Sequence, residues 1–245
     1  TKVSGGLHSN FVGNVTSNET QYRDPFSWVL SGNVTVTFLD FSLPFTFSFS
    51  NTGKSFSQPF NMTAIHPKYK NWQAHLGITS MNLSSYTYQG LNFAGAGLEY
   101  KPKNWSFRAF GGRLKKAIEY NPVVDNINEV SYKRMGFGLA TGYKGKKFGT
   151  ELILFKAYDN PSSLEFNPKN PELTARDNIV ISIKGEVSLL ASLQLKVEVA
   201  SSLMTRNVLS EDPSAKRKGY YGLINGNSTS TISNAYNASL NYRKK

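Results

Sequence analysis

Hydrophobic and polar positions alternate almost without a break between residues 27 and 50. The apolar positions are Trp28, Leu30, Val34, Val36 and Phe38 in a first run, then Phe41, Leu43, Phe45, Phe47 and Phe49 in a second. A period of two is that of a β-strand, whose successive side chains point to opposite faces. Each run reaches the roughly 9–11 residues that cross a membrane as a strand, with an apolar face for lipid and a small polar face for a wet lumen. The pattern predicts a hairpin of a transmembrane β-barrel.

Eight further alternating runs bring the number of candidate strands to ten. They cover residues 72–79, 94–100, 105–109, 135–143, 148–154, 179–189, 193–199 and 236–242. Short turns near residues 40, 102, 145 and 191 are separated by long polar links at 113–129, 158–177 and 202–232. Short turns on one side and long loops on the other are typical of outer-membrane barrels. The fold class that we predict is therefore all-β, an antiparallel up-and-down transmembrane β-barrel.

The predicted strands divide the chain into an N-terminal extension, residues 1–24, and barrel strands, residues 25–245. One stretch interrupts the barrel. If 72–80 crossed as a simple strand, every later short turn would lie on the wrong side, so we expect 51–91 to leave and re-enter on the same side. It would fold into the lumen or form a non-spanning hairpin over the mouth. The last run ends at Tyr242 before a basic triplet. Because an unpartnered strand edge is costly in lipid, we expect the N-terminal part of a larger barrel, or a barrel that missing segments complete.

Composition narrows the classes of protein. The 245 residues carry a net charge of +12 and no cysteine, so disulfides and thiolate metal sites are excluded. The mean hydropathy of −0.37 is compatible with a barrel, because lumen-facing polar residues dilute each apolar strand. The basic residues are spread over short turns and follow no nucleic-acid-binding motif, so we expect no nucleic-acid partner. A basic rim would suit lipid headgroups or an acidic partner, and ordinary solubilising turns explain it equally well.

One motif is Arg23-Asp24-Pro25-Phe26-Ser27-Trp28-Val29-Leu30-Ser31-Gly32-Asn33, and others lie at 66–70, 85–88, 95–98, 110–117, 155–160 and 178–180. Together these motifs resemble the opening of large outer-membrane β-barrel proteins of Bacteroidota. The resemblance implies a Gram-negative outer-membrane location, a longer parent chain and membership of an envelope complex. Such complexes serve protein secretion, barrel assembly or nutrient uptake. The resemblance transfers no catalytic residue.

Charged residues on the polar faces are the candidates for lining a lumen. Lys184 and Glu186 alternate with the apolar face of one strand, and Lys196 and Glu198 do so on its hairpin partner. Opposite charges paired across strands would neutralise the wall, an interpretation that we favour over a charged channel eyelet because the signs cancel. The candidate lumen-lining residues are Glu99, Arg108, Glu151, Lys184, Glu186, Lys196 and Glu198. The candidate lipid-facing residues are Trp28, Val34, Phe45, Phe47, Leu195 and Val197.

The three histidines, His8, His66 and His75, show no recognised metal-ligand spacing, so we expect no metal site and no cofactor. His75 lies on the polar face of its run, where a hydrogen bond in the lumen is its expected use. Serine–histidine catalysis by His75, or by His8 with Ser9, lacks an orienting partner, so we expect no enzyme. The glycine-rich runs 95–97 and 136–138 lack the setting of a phosphate loop. We expect them to let an inner segment pack close to the wall.

Three functions fit these observations. The first is a structural subunit of an envelope export, secretion or barrel-assembly complex in the outer membrane, with lipid and other envelope proteins as its partners. The second is a transport channel, porin-like or for nutrient uptake, which would need an unobstructed lumen. The third is a soluble lipocalin-like binding barrel, which the ten strands and the aromatic outward faces disfavour.

Overall fold

The alternating runs form neighbouring strands of one antiparallel sheet in the computed structural model. The structure describes residues 1–15, 25–51, 61–123, 129–165, 173–190, 192–210, 217–219 and 224–242. The strands are β1 (Lys2–Gly13), β2 (Phe26–Phe38), β3 (Phe41–Ser50), β4 (Met62–Ile65), β5 (Lys68–Tyr69), β6 (Trp72–Ser80), β7 (Asn92–Tyr100), β8 (Trp105–Lys115), β9 (Lys133–Lys144), β10 (Phe148–Asn160), β11 (Asp177–Leu190), β12 (Leu193–Thr205), β13 (Arg217–Gly219), β14 (Ile224–Gly226) and β15 (Ser230–Tyr242).

Thirteen of these strands form the sheet in the order β1-β2-β3-β4-β6-β7-β8-β9-β10-β11-β12-β15, with β5 pairing β3 and β6. Every pairing is antiparallel and joins strands that follow one another along the wall, so the predicted all-β, up-and-down barrel fold is confirmed. β13 and β14 form a separate hairpin within the link from β12 to β15. In the described part of the chain, no ladder joins the edge strands β1 and β15. No helix of the described residues is long and apolar enough to span a membrane.

The expectation of an N-terminal extension over 1–24 is wrong for β1, which pairs with β2 along its whole length. The pattern was missed because the apolar positions Val3, Leu7 and Phe11 recur only every fourth residue, with Gly5 and Ser9 between them. Residues 16–24 lie outside the described part of the chain.

The expected excursion over 51–91 is also wrong for residues 62–80, which belong to the sheet. β4 and β5 together make one more crossing, interrupted at His66 and Pro67, whose ring removes a backbone donor. The sheet nevertheless continues past the break, since the His66 N–H donates to the Pro44 carbonyl (2.8 Å) and the Ala74 N–H to the Pro67 carbonyl (2.9 Å). With this crossing included, successive strands alternate in direction along the whole sheet. The short turns after β2, β5, β7, β9 and β11 therefore all lie at the same end of the strands. Residues 52–60 and 243–245 lie outside the described part of the chain.

The register assigns each side chain to one of two faces. We call residues 81–91, which join β6 to β7, the inner segment, and the face of the sheet that they contact the inner face. Even positions of β3, β8 and β9 and odd positions of β6, β7 and β10 share the inner face. The alternate positions form the outer face.

The sheet curves around the inner segment. Arg108 on β8, Lys184 on β11 and Asn237 on β15 all contact it. β8 and β15 are five strand spacings apart, about 24 Å in a flat sheet. Asn82, Leu83 and Tyr86 of one loop therefore receive contacts from β8, β11 and β15, which a flat sheet would hold far apart.

Candidate functional site

The inner segment folds back on itself. The Leu83 N–H donates to the Tyr88 carbonyl (2.9 Å), and the Tyr88 N–H donates to the Ser84 carbonyl (3.1 Å). The Tyr88 hydroxyl donates to the Leu91 carbonyl (2.9 Å), and burial raises the pKa of this phenol. Met81, Leu83 and Tyr88 are 4%, 2% and 2% exposed. The segment is thus a compact turn that inserts three apolar side chains into the inner face.

An aromatic cluster receives these side chains. The Tyr88 ring lies 4.7 Å from that of Phe110 on β8 and 5.0 Å from that of Phe155 on β10, between ring centroids. Phe93 on β7 lies 4.7 Å from Phe110 and is 1% exposed. Aromatic pairs at such distances add about 0.5–1.5 kcal/mol each beyond their buried area. The main hydrophobic core of the described residues therefore lies between the wall and the inner segment.

Glycines in the wall make room for this packing. A Cβ atom on Gly97 would lie 2.2 Å from the Met81 sulfur, and one on Gly138 would lie 2.3 Å from the Phe110 ring and 2.7 Å from the Leu83 side chain. These distances are far below van der Waals contact. The expectation that the glycine-rich runs let an inner segment pack against the wall is confirmed.

Three predicted lumen residues, Arg108, Glu151 and Lys184, meet at the inner segment. Arg108 donates to the carbonyl of Asn82 and, over 3.4 Å, to that of Leu83. The Lys184 ammonium donates to the same Leu83 carbonyl over 2.9 Å. Glu151 lies between the two cations, accepting a hydrogen bond from Arg108 and lying 3.4 Å from the Lys184 nitrogen. A triad of two cations and one carboxylate thus holds the backbone of the inner segment.

The remaining candidates on this side lie next to the triad on the inner face. The register pairs Lys184 with Glu198 and Glu186 with Lys196, the cross-strand arrangement expected from the sequence. Two of these side chains nevertheless form ion pairs with other residues. Lys184 pairs with Glu151, and Glu186 pairs with Lys144 over 3.0 Å. Together with Tyr86 these residues line an inner cavity of about 500 Å³. The cavity is polar, and each sign of charge is present in it.

Glu99, the seventh candidate, belongs to a second polar cluster. The His75 Nε2 atom lies 3.1 Å from Glu99 Oε1, and the Lys101 ammonium lies 2.5 Å from the other carboxylate oxygen. The His75 Nδ1 atom lies 3.0 Å from the Nδ1 atom of His66. His75 is 7% exposed. The expectation that His75 makes a hydrogen bond on the polar face is confirmed, whereas its contact with His66 was not anticipated.

The outer face carries all six candidate lipid-facing residues. Trp28 and Val34 lie there on β2, Phe45 and Phe47 on β3, and Leu195 and Val197 on β12. Phe45, Phe47 and Phe49 form a ladder along β3 with ring centroids 5.7 Å apart. That these residues contact lipid stays a prediction.

A row of aromatic side chains follows the short-turn end of the outer face. Trp72 stacks on Tyr100 with ring centroids 3.9 Å apart, and Trp105 lies 5.1 Å from Tyr143. Tyr143 in turn lies 5.5 Å from Phe148. The row runs across β6, β7, β8, β9 and β10. It is a feature that single-strand patterns do not reveal, because its members come together only once the short turns align.

At the opposite end, the outer face is covered over a small area. Ile179 on β11 and Leu203 on β12 point outward, yet they are 1% and 6% exposed. The Val208 N–H donates to the Ala175 carbonyl over 2.9 Å, which ties two of the long links together there, and β14 lies against β11 and β12. The long links therefore cover the outer face locally at β11 and β12, whereas Ile232 on the neighbouring β15 stays exposed.

The signals for these sites differ in strength. Alternation alone placed the charged residues on one face. The contact between His66 and His75 depends on β4 and β5, which the alternation of apolar and polar residues does not reveal. The Leu83 carbonyl is a backbone group, so its contacts with Arg108 and Lys184 cannot be predicted from a pattern of side chains.

No protein-family model matches the chain, and no curated protein matches it. Among solved structures, mutants of the Rhodopseudomonas blastica porin are similar at 9% identity, covering 98% of this chain and 99% of the porin, with TM-scores of 0.30 and 0.31. A structure described by the words "asymmetric conductivity of engineered proteins" is similar at 10% identity over the same shares, with a TM-score of 0.31. At TM-scores this low, the likeness carries no argument about this chain.

Proposed function

We propose that the chain forms part of the wall of an outer-membrane β-barrel and acts as a structural subunit of an envelope export, secretion or barrel-assembly complex. The membrane location is carried by one observation, the apolar outer face. Phe45 is 37% exposed, Phe148 54%, Ile183 56% and Leu240 61%, on four different strands. A soluble monomer rarely exposes a continuous apolar patch larger than about 300–600 Å².

The ends of this face support the same proposal. The aromatic row at the short turns fits the interfacial girdle of a membrane barrel, where amphipathic rings lie at headgroup level. The basic turn residues Lys103 and Lys147 lie just beyond the row, whereas Lys101 and Lys144 at the same end pair with Glu99 and Glu186. Lysines in this position suit anionic headgroups or an acidic partner.

The inner segment favours a structural role over a wide pore. An open channel needs a free lumen, whereas here the inner face of β7 to β11 is covered by a segment with buried apolar side chains. The charged triad fastens that segment by its backbone. Arg108, Glu151 and Lys184 on the inner face thus hold the inner segment in place.

A pull-down of the native full-length protein from its outer membrane in mild detergent tests the proposal. Co-purification of export, secretion or assembly subunits in fixed stoichiometry supports it and names the complex, whereas co-purification of uptake subunits favours the transport alternative. Recovery of a heat-modifiable barrel alone contradicts the structural role, and recovery in the aqueous phase without detergent contradicts the membrane location.

A transport channel is the second candidate, favoured by the polar inner cavity of about 500 Å³. Single-channel conductance of the full chain in planar bilayers tests it. A channel conducts steadily with the wild-type inner segment in place. If conductance is absent in the wild type and in a variant that lacks residues 82–90, the cavity is not a transport path.

A further inference from the structure

His66 and His75 meet on the inner face although they are nine positions apart in the chain. His66 lies at the break between β4 and β5, and His75 lies on β6, which pairs with both of those strands. Their Nδ1 atoms are 3.0 Å apart, and the rings stand edge to face at an interplanar angle of 73°. Two ring nitrogens at this distance share one proton when both imidazoles are neutral.

The contact with Glu99 determines where that proton lies. The Glu99 carboxylate accepts a hydrogen bond from His75 Nε2, so neutral His75 carries its proton on Nε2 and has its lone pair on Nδ1. His66 then donates its Nδ1 proton to His75. If His66 moves its proton to Nε2, both Nδ1 lone pairs become free at the same point.

We propose that His66 and His75 form a binding site for a divalent transition-metal ion such as Zn²⁺, with Glu99 as the residue that orients His75. A cation about 2.0–2.1 Å from two nitrogens at an angle of about 90–110° holds them roughly 2.8–3.4 Å apart. The observed 3.0 Å falls in this range. Binding needs the tautomer change of His66 and a rotation of each ring that makes the two lone pairs converge on the ion.

The surroundings fit a partly hydrated ion. Both histidines line an inner-face cavity of about 540 Å³, whose wall also carries Gln73, Thr46 and Ser48. In the described part of the chain, no group of three or more histidine, cysteine or acidic side chains converges. Water would therefore have to complete the coordination of an ion bound here. Imidazole nitrogens with open positions suit Zn²⁺, Cu²⁺ and Ni²⁺.

The carboxylate–histidine contact is the arrangement that most often supports a metal-bound imidazole, because it holds the ring and raises its basicity. Lys101 binds the second carboxylate oxygen and keeps Glu99 in place. A bound ion would link the two sides of the β-ladder at the point where Pro67 interrupts it.

Calorimetric titration of Zn²⁺ into the full chain, purified in detergent without a polyhistidine tag and treated with chelator, tests the site. One ion per chain is expected. His66→Ala and His75→Ala should each raise Kd at least about tenfold, and Glu99→Gln should raise it about 10- to 100-fold. His8→Ala is the matched control, because His8 lies on the inner face of β1 and is exposed, and it should leave Kd unchanged.

Electron paramagnetic resonance of the Cu²⁺-loaded wild type tests the ligands without any variant. Hyperfine couplings from two imidazole nitrogens are expected, and their absence overturns the proposal. So does a failure of the wild type to bind Zn²⁺ up to about 1 mM, an affinity of only about 4 kcal/mol. A loss in His8→Ala equal to that in His75→Ala overturns it as well. Heat modifiability of each variant shows that the barrel has folded, and if His75→Ala does not fold, His66→Ala and Glu99→Gln decide.

Discussion

Replacing Leu83 by alanine tests how firmly the inner segment is held. The Leu83 side chain is 2% exposed and belongs to the same core as Tyr88 and Phe110. Truncating a buried leucine to alanine removes its transfer free energy and leaves a cavity, at a cost of about 2–5 kcal/mol. The substitution leaves the hydrogen bonds of the segment unchanged. The lost free energy therefore lowers the stability of the state in which the segment is packed against the wall, relative to an open state in which it has detached. At about 1.36 kcal/mol per factor of ten, opening becomes about 30-fold to several thousand-fold more frequent.

Amide hydrogen exchange measures this opening directly. The N–H groups of Leu83 and Tyr88 are bonded only within the segment, so their exchange should accelerate by that factor while the ladder between β9 and β10 stays protected. Leu91→Ala is the matched control, since Leu91 lies in the same segment but is 49% exposed. A surface substitution of this kind is expected to cost less than about 0.5 kcal/mol, an acceleration of roughly twofold. An acceleration in Leu83→Ala no larger than in Leu91→Ala would show that the aromatic cluster does not hold the segment.

Three further substitutions test the faces, the close packing and the charged triad. Phe45→Lys should destabilise the membrane-inserted barrel by about 2–4 kcal/mol, whereas Thr46→Lys on the inner face should assemble normally. Equal yields of heat-modifiable barrel for the two variants would contradict the assignment of the faces. Gly138→Val should lower the midpoint of thermal unfolding, because overpacking costs about 1–3 kcal/mol. Gly185→Ala should leave the midpoint unchanged, because a Cβ atom added there meets nothing within 4 Å. Equal midpoints for the two variants would contradict the close packing of the inner segment against Gly138. Arg108→Met leaves the carboxylate of the triad with a single cation and should cost about 3–5 kcal/mol in urea unfolding, and a cost below 1 kcal/mol would mean that the triad is solvated.

Strands with strict alternation were predictable from the sequence, and their faces with them. β2 and β3 are examples, because a period of two fixes which residues share a face, and a slip of one residue would turn Phe45 and Phe47 towards the inner face. β1 was not predictable in the same way, because Gly5 and Ser9 occupy outer-face positions that larger apolar residues fill in other strands. β4 and β5 were missed because Pro67 divides them into pieces too short to show a period.

The candidate site was predictable only to the level of a face. The sequence indicated that Arg108, Glu151 and Lys184 share the inner face, and that glycine runs leave room beside them. It could not indicate that these side chains converge on the Leu83 carbonyl, because their partner is a backbone group of a connecting segment. The pairing of His66 with His75 depended on the register of a strand pair whose existence the alternation did not signal.

The inner segment is joined covalently to β6 and β7 at its two ends, so it behaves as a tethered ligand of its own wall. A short flexible tether keeps such a ligand at an effective concentration in the millimolar range, and a loop of about ten residues closes in roughly 10–100 ns. Opening is therefore brief and reversible. A molecule that binds the inner face in place of the segment must compete with a ligand whose local concentration does not fall when the protein is diluted. A partner that binds the released residues 81–91 would remove this competition.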